Sequence, residues 1–420
     1  MYGSHSVNLS HILPASFRFD GTRRARAIRL ACCFGLASTG AMASAADLVP
    51  GNLVVERIGN GTTALSGSSA AVAVQEFTTS GTLVQTLTTQ FTGSELLTDS
   101  GSATSNGYLN SYGGYLAVPG LNVAAGTTGA ASLNVKATNV LGVDGNVANR
   151  VEFPTGGPTG TPPSPFSGSN FRSAIATSAN TFYATGTSAG SPLTGGTWYY
   201  NGTDFVQVSG TQNNLRNIEI YGGQLYVSSG ANNFQGISSV GTGLPTTTGT
   251  TTSLTIATGT GSSPYGFVIF DTNGDGSADR AYIADDRNTA GGGIQRWDLN
   301  SSSVWVNSYA LLFNTSNETL TTTTGTGIIG IRGLTGSWDA TSGTASLFAT
   351  TTETNNNRLV SLIDSGSAPT TFTTLSRAGA NFVYRGVDFT PVTVPEPSTY
   401  VLAAMATGIL AWAGKKRRKS

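Results

Sequence analysis

Three short runs decide the fold class of this 420-residue chain: Tyr265-Gly-Phe-Val-Ile-Phe-Asp271, Arg280-Ala-Tyr-Ile-Ala-Asp-Asp286 and Ile294-Gln-Arg-Trp-Asp298. Each run is rich in β-branched and aromatic residues, and turn-forming residues lie between the runs, which is the pattern of β-strands between turns. Similar runs recur between residues 47 and 391, with almost no helical period among them. The sequence therefore predicts an all-β body.

The strand runs belong to a weak repeat whose units open near an arginine. Steps of 44, 116 and 53 residues separate the opening arginines, which are Arg172, Arg216, Arg332 and Arg385. The unit at Tyr265 falls inside the long step. One blade of a β-propeller takes a step of roughly 45 to 60 residues with three or four strands. The repeat therefore predicts a β-propeller of about six or seven blades in residues 47–390.

The two ends of this body are expected to meet. The last run, Tyr384–Phe389, would complete a blade begun by the first strand at Asn52–Ile58, which leaves a ring without a long exposed edge. Three low-complexity segments are interpreted as loops or linkers: Pro154–Pro165, Gly241–Gly261 and Thr319–Gly325. The first is also interpreted as a boundary between two β domains. A pair of β-sandwiches and a β-solenoid remain alternatives to the propeller.

The body is acidic although the whole chain is neutral. Twelve Lys and Arg and twenty Asp and Glu lie between Asp47 and Val394, which gives a net charge near −8. This balance excludes nucleic acid as a partner, because phosphate backbones bind basic surfaces. Both His and both Cys residues precede Asp47. Disulfides, imidazole or thiolate metal sites and His-based catalytic triads are therefore excluded from the body.

One loop, Asp271-Thr-Asn-Gly-Asp-Gly-Ser-Ala-Asp279, has the spacing of a cation site. Its oxygen ligands fall at alternate positions around a turn at Gly276, as in the first half of an EF-hand loop. Tyr282 stands where the EF-hand has its last Glu, and strands flank the loop, which instead resembles the calcium-binding hairpins of extracellular propellers. An Asx- and Gly-rich turn is the alternative. The predicted calcium ligands are Asp271, Asn273, Asp275 and Asp279.

Three other features are candidates for chemistry. Asp285-Asp286 is interpreted as a solvated turn, with an acid–base pair or extra cation ligands as the alternative. Trp198-Tyr199-Tyr200 and Trp297 are interpreted as core aromatics, with stacking on sugar rings as the alternative. The repeat arginines are expected either to form structural hydrogen bonds or to bind acidic sugar at a channel mouth. No catalytic residue is predicted.

The C-terminal segment, residues 391–420, differs from the body. Val394-Pro395-Glu396-Pro397 cannot be helix or central strand, because each proline fixes φ and removes a hydrogen-bond donor. Residues 399–414 carry no charge, and Lys415-Lys416-Arg417-Arg418-Lys419 follows them. The apolar run corresponds to about 24 Å of helix, which predicts a single short transmembrane helix with a cytoplasmic basic end.

The order of Pro-Glu-Pro motif, apolar helix and basic end resembles a PEP-CTERM sorting signal, and the resemblance covers about the last 26 residues. It implies that an exosortase recognises Val394, Pro395, Glu396 and Pro397 and removes the helix. The protein would then pass through an inner-membrane intermediate held by residues 399–414. It would end at the surface, or outside, of a Gram-negative cell that makes exopolysaccharide.

The N-terminal segment, residues 1–46, agrees with export. Four arginines between residues 23 and 29 precede a small, apolar stretch, and Ala43-Ser44-Ala45 fits a signal-peptidase site. We predict a signal peptide that uses the Sec export machinery.

These features predict an exported PEP-CTERM surface or matrix protein that is not an enzyme. It is expected to act by display or adhesion, with extracellular polysaccharide as its partner. The alternative is a secreted polysaccharide hydrolase or lyase on a propeller scaffold, dependent on carboxylates or on Tyr and Arg. That alternative requires such side chains to cluster in the central channel.

Overall fold

The computed structural model describes residues 46–89 and 97–393. These residues form five antiparallel sheets and two single-turn 3₁₀ helices, Ala130–Ser132 and Asn232–Phe234. No helix in this part of the chain has the length and apolar character needed to cross a membrane. The all-β prediction is confirmed for the body. The predicted signal peptide, except for Ala46, and the predicted helix at residues 399–414 lie outside the described residues.

The strands are numbered in chain order. The first eight are β1 (Leu53–Gly59), β2 (Ser69–Phe77), β3 (Leu83–Thr88), β4 (Thr98–Ser100), β5 (Asn110–Tyr112), β6 (Tyr115–Leu121), β7 (Lys136–Gly142) and β8 (Val147–Glu152). The next eight are β9 (Phe171–Ser178), β10 (Thr181–Gly186), β11 (Gly196–Tyr200), β12 (Phe205–Ser209), β13 (Ile218–Tyr221), β14 (Gln224–Ser229), β15 (Gly236–Val240) and β16 (Thr252–Ala257). The last eleven are β17 (Pro264–Phe270), β18 (Arg280–Asp285), β19 (Gly293–Leu299), β20 (Trp305–Asn314), β21 (Thr319–Thr321), β22 (Ile328–Ile329), β23 (Ile331–Asp339), β24 (Thr344–Thr351), β25 (Arg358–Asp364), β26 (Thr373–Arg377) and β27 (Phe382–Phe389).

Four sheets are separate antiparallel units in which strands that follow one another in the chain pair side by side. They comprise β9–β12, β13–β16, β17–β22 and β23–β26. Such units, repeated around an axis, are the blades of a propeller. The described residues therefore show a propeller-like arrangement with four separate blades, where the sequence predicted six or seven.

The fifth sheet explains the lower count. It has nine strands in the order β27-β1-β2-β4-β6-β7-β8, with β3 beside β2 and β5 beside β6. β4 is only three residues long, yet it pairs with β2 through Ser69–Ala71 and with β6 through Leu121. This short strand joins two groups of strands into one continuous sheet, a link that a strand repeat in the sequence does not reveal.

The two ends of the body pair as predicted. β27 lies antiparallel to β1, with Leu53 opposite Phe389 and Ile58 opposite Val383, and a β-bulge lies between Val55 and Arg57. Around the axis, the edge strands contact one another in the closed order β9, β13, β17, β23, β27, β5 and back to β9. The last strand of the body therefore completes the ring.

Pro154–Pro165 is a loop, as interpreted, and so is Thr319–Gly325 after its first three residues, which form β21. Two other interpretations of the low-complexity segments are wrong. Pro154–Pro165 is not a domain boundary, because it lies within one compact unit. Just after it, Phe166 is fully buried and its ring lies 5.4 Å from that of Phe171. Gly241–Gly261 is not only a loop, since it contains β16, which pairs with β15. β-Branched Thr and Ile in β16 favour a strand in spite of the surrounding glycines.

A buried polar network joins the blades β17–β22 and β23–β26. The Asp364 carboxylate, whose side chain is 0% exposed, accepts hydrogen bonds from Tyr282 Oη at 2.6 Å and Tyr309 Oη at 2.8 Å. It also accepts one from the Gly366 amide at 2.7 Å and forms an ion pair with Arg296 at 3.1 Å. Every strong acceptor position of this buried carboxylate is therefore used, which is the condition under which a buried charge is tolerated.

Candidate functional site

Six side chains lie near the starts of the six edge strands, from two residues before the strand to its fourth residue. We call them the axial cluster, and they are Tyr108, Arg172, Arg216, Tyr265, Arg332 and Arg385. All four repeat arginines belong to it, and their equivalence from blade to blade stays a prediction. Tyr108 was not predicted, because the sequence repeat is marked by arginine and Tyr108 is not an arginine.

A small or amide residue follows most members of the cluster, and it lets neighbouring strands approach closely. A Cβ atom on Gly386 would lie 2.7 Å from the Leu109 amide nitrogen, and one on Gly333 would lie 2.5 Å from the Arg385 carbonyl oxygen. At another junction, Ser173 Oγ donates to Asn217 Oδ1 at 2.8 Å. These close approaches draw the cluster side chains toward one axis.

Tyr265 lies at the centre of the axial cluster. The Arg216 guanidinium lies 4.1 Å from the centroid of its ring, the Arg332 guanidinium lies 5.8 Å away, and the Tyr108 ring centroid is also 5.8 Å away. The ring face offers cation–π attraction to both arginines. Burial is the main cause that raises the pKa of Tyr108 far above its ordinary value, and the electrostatic interaction with Tyr265 raises it further. The Tyr108 hydroxyl therefore stays protonated.

The arginines also hold neighbouring blades together. Arg172 Nη1 donates to Asn214 Oδ1 at 2.5 Å and to the Leu215 carbonyl at 3.0 Å. Arg216 Nη1 donates to Ser263 Oγ at 2.7 Å and to the Pro264 carbonyl at 3.1 Å. In both cases the acceptors lie on the chain that enters the next blade. The predicted structural role of these two arginines is therefore shown.

Two carboxylates lie three residues after arginines of the axial cluster, one on β13 and one on β27. Glu219 of β13 and Asp388 of β27 are half-buried and line a cavity of about 280 Å³ together with Ser111 and Thr335. We call these four residues the acidic cavity. Asp388 accepts hydrogen bonds from the Ser111 amide at 2.7 Å and from Thr335 Oγ1 at 2.9 Å. Burial and then the charge of Asp388 raise the pKa of Glu219, and burial also raises the pKa of Asp388.

The acidic cavity was missed in the sequence, although a signal for it exists. A carboxylate follows a repeat arginine by three residues in Arg216–Glu219 and again in Arg385–Asp388. In a regular strand, side chains three residues apart lie on opposite faces, so this spacing does not by itself predict a shared site. The structure nevertheless places both carboxylates at one cavity.

The predicted calcium ligands lie in the hairpin between β17 and β18. Their oxygens bind the loop's own backbone: Asp271 accepts from the Gly274 and Gly276 amides, both at 2.7 Å, and Asp275 accepts from Ser277 at 2.8 Å. The Gly276 hydrogen bond is the main cause that lowers the pKa of Asp271. Among the residues the structure describes, no group of three or more His, Cys, Asp or Glu side chains is placed to hold a metal. The calcium site stays a prediction.

The other predicted candidates have structural contacts. Asp285 is not in a solvated turn, because it is fully buried and pairs with Arg287 at 2.8 Å. Asp286 instead pairs with Arg332 of the axial cluster at 3.1 Å, so the two carboxylates do not act together. Trp198 and Trp297 are 3% and 9% exposed, which confirms their interpretation as core aromatics.

The segment that follows the body is identified by its sequence. Residues 393–418 match the family model described as the PEP-CTERM protein-sorting motif. The chain carries a PEP-CTERM sorting signal. Val394, Pro395, Glu396 and Pro397 fall within the match and outside the described residues. The PEP-CTERM signal indicates an exported protein and implies processing by an exosortase.

Comparison of the body with known proteins shows remote likenesses only. No curated protein matches the chain. A Bacteroides fragilis protein, provisionally named a 6-phosphogluconolactonase, is 11% identical with a TM-score of 0.40, over 81% of this chain and 98% of its own. An ancestral GH74 enzyme is 12% identical with a TM-score of 0.35, over 74% and 41%. A Synechocystis apocarotenoid oxygenase mutant is 10% identical with a TM-score of 0.35, over 82% and 94%.

Proposed function

We propose that this chain is an exported surface or matrix protein that acts without catalysis, by display and adhesion in an envelope rich in extracellular polysaccharide. The PEP-CTERM signal carries the proposal, because it supplies the export route and the processing enzyme. The composition of the body supports it, since an acidic surface without His or Cys suits a stable extracellular scaffold better than nucleophilic or imidazole-based chemistry. We further propose that the nine-stranded sheet represents two joined blades, which gives a ring of six.

The connection from the body to the PEP-CTERM signal supports a defined orientation. The Thr390 amide donates to the Asn52 carbonyl at 2.9 Å, Thr390 Oγ1 donates to the Val49 carbonyl at 2.8 Å, and residues 390–392 line the acidic cavity. The sorting signal therefore leaves the ring at its acidic end. We infer that the axial cluster points away from the membrane while the signal is attached.

Replacement of Pro395, Glu396 and Pro397 by alanine is expected to stop processing. The full-length protein should then accumulate in the inner membrane and keep the mass of residues 399–420, whereas the wild type should lose that mass. Cell fractionation followed by intact-mass measurement tests this. The Pro391→Ala variant, changed just outside the motif, is the matched control and should be processed normally. Normal processing of the triple variant would contradict the proposed sorting route.

We also propose that the 271–279 loop binds calcium. The loop carboxylates already accept hydrogen bonds from the loop's own amides, so calcium must compete with these bonds. We therefore expect weak calcium binding, with a dissociation constant of about 10⁻⁴ to 10⁻³ M, as in other extracellular modules. Isothermal titration with calcium should show one site that disappears in the Asp271→Asn, Asp275→Asn variant. Asn300→Ala, in another exposed turn, is the control. Absence of heat from the wild type at millimolar calcium would refute the site.

The acidic cavity favours a second candidate function, polysaccharide hydrolysis. Two carboxyl groups with raised pKa values line one cavity, and a glycosidase needs one protonated and one ionised carboxyl group. The test is the release of new reducing ends from host exopolysaccharide, abolished in both Glu219→Gln and Asp388→Asn. If the wild type releases none, the enzymatic function is excluded for that polymer.

A further inference from the structure

A cavity of about 360 Å³ lies at the opposite end of β1 and β27 from the acidic cavity. At this end β1 finishes at Gly59 and β27 begins at Phe382, whereas Leu53 and Phe389 lie together at the acidic end. The walls come from the β1–β2 loop, the segment after β4 and the chain entering β25 and β27. We call this space the loop cavity. Because the sorting signal leaves at the acidic end, the loop cavity lies on the face away from the signal.

The lining of the loop cavity is polar and carries almost no charge. Among the lining residues that the structure describes, Arg385 alone is charged, and the other polar ones are Ser102, Thr104, Thr354, Asn355 and Asn381. Within the described part of the chain, no protein group bonds the hydroxyls of Ser102, Thr104 and Thr354. Such hydroxyl and amide groups around one guanidinium match the hydroxyl and carbonyl oxygens of a sugar.

Arg385 keeps hydrogen-bonding capacity that the protein does not use. It is only 4% exposed, and it lines the loop cavity. Its Nη2 atom donates to the Gly101 carbonyl at 3.2 Å, and its Nε atom has no acceptor among the described residues. A guanidinium has five N–H donors, and a buried charged donor without an acceptor is costly. A ligand in the cavity can supply an acceptor oxygen to the part of Arg385 that lines it.

The charges around Arg385 favour an uncharged ligand. Glu56 and Asp99 lie close enough to Arg385 to oppose the loss of its proton. Burial, and then the charge of Asp99, raise the pKa of Glu56 well above its ordinary value, so Glu56 is neutral at pH 7. Burial raises the pKa of Asp99 to about 6, so Asp99 is ionised at pH 7 and offsets the arginine charge. The body as a whole is acidic, and an anionic polysaccharide is therefore repelled.

A small apolar wall completes the loop cavity. Ala64 and Leu65 of the β1–β2 loop line it, and they also line a neighbouring cavity of about 370 Å³. The loop is held in place, since Asn60 Oδ1 accepts hydrogen bonds from the Thr62 and Thr63 amides at 2.9 and 2.8 Å. An apolar surface in the same cavity as a hydrogen-bond donor fits a methyl group next to a carbonyl, which is the structure of an acetamido group.

We propose that the loop cavity binds an N-acetylated sugar residue of an uncharged polysaccharide. Arg385 donates to the acetamido carbonyl oxygen, Leu65 contacts the acetamido methyl group, and the hydroxyl groups of the lining bind the sugar hydroxyls. The neighbouring cavity takes the next sugar of the chain. This inference rests on the proposed adhesion to polysaccharide and gives it a site and a ligand class.

The test measures binding of chitotetraose, an N-acetylated oligosaccharide, to the exported, processed protein. Maltotetraose is the neutral probe without acetamido groups, tetragalacturonate is the acidic probe, and both should bind about tenfold more weakly or worse. Ser102→Tyr, which places a ring in the cavity from an exposed position, should abolish chitotetraose binding. Ser302→Tyr, in the exposed turn between β19 and β20, is the matched control and should bind as the wild type does. Arg385→Gln should weaken binding about tenfold or more, as expected for loss of a charged hydrogen bond.

Each outcome separates the site from the proposed function. If the oligosaccharides bind and Ser102→Tyr changes nothing, adhesion stands and the loop cavity is refuted as its site. If maltotetraose binds as tightly as chitotetraose, the acetamido contact is refuted, and tighter binding of tetragalacturonate refutes the uncharged ligand. If no probe binds, the site is refuted, and retention of host exopolysaccharide by the same protein decides separately whether adhesion stands.

Folding of the variants is checked by thermal unfolding. Where Arg385→Gln does not fold, Ser102→Tyr carries the test, because its side chain is exposed. Where neither folds, a rise in the wild-type melting temperature with chitotetraose but not with maltotetraose supports the site, and an equal response to both contradicts it.

Discussion

A chain that ends at Ala380 is expected to lose cooperative folding altogether. The truncation removes β27, so β1 loses one of its two partner strands along Leu53–Gly59, and the contacts that β27 makes with β23 and with β5 are lost. It also deletes the core residues Val383, Tyr384 and Val387. An opened ring exposes two long strand edges and several buried apolar side chains, which costs far more than the ~5–15 kcal/mol by which domains are stable.

The matched control is the chain that ends at Thr393, which keeps β27 and loses only the residues beyond the described body. Thermal unfolding followed by circular dichroism, together with limited proteolysis, should show one sharp transition for this control and none for the shorter chain. A sharp transition in both chains would mean that β27 is an accessory strand and does not close the body.

Asp364→Ala is expected to lower the free energy of unfolding by about 3–5 kcal/mol, the usual result of breaking a buried ion pair on one side. The change leaves the Arg296 guanidinium and the hydroxyl groups of Tyr282 and Tyr309 without their shared acceptor. Urea unfolding at neutral pH measures the loss. Asp204→Ala, an exposed aspartate in the turn between β11 and β12, is the control and should change stability by less than ~0.5 kcal/mol. A similar effect for both variants would show that the network adds nothing.

The same carboxylate gives the stability a defined dependence on pH. Burial alone would raise the pKa of Asp364, but hydrogen bonds from Tyr282, Gly366 and Tyr309 and the Arg296 charge outweigh it and bring the pKa below its ordinary value. Since the unfolded value is about 3.9, this stabilisation is present above roughly pH 4 and is lost as the pH falls through the folded value. In urea titrations between pH 6 and pH 3, Asp364→Asn should therefore flatten the acid limb seen in the wild type.

The sequence was most informative where a position repeats. The spacing of the four repeat arginines and the strand runs at both ends of the body were enough to predict a ring closed by its own termini, because each blade packs against its neighbours. The pairing of β4 with both β2 and β6 could not be predicted from the sequence, because a three-residue strand is too short to show a periodic pattern. The predicted number of separate blades was wrong for that reason.

The candidate site was predicted in part. Arginine was recognised as the opening residue of the repeat, but Tyr108 and Tyr265 belong to the same cluster and carry no charge. Burial also decides whether a carboxylate is solvated. Asp285 is fully buried beside a turn, where it binds Arg287 and accepts hydrogen bonds from the Ser263 amide and Gln295 of its own blade. The burial depends on how the strands of the blade pack, so the run Asp285-Asp286 alone does not reveal it.

The position of the closing strand imposes an order of events on biogenesis. Only three residues, 390–392, separate Phe389, the end of β27, from the start of the sorting match at residue 393. A chain made from its N-terminus delivers β27 last, immediately before the segment that an exosortase acts on. Completion of the ring and synthesis of the sorting signal therefore fall together: a translation product that stops before β27 lacks both the closing strand and the signal.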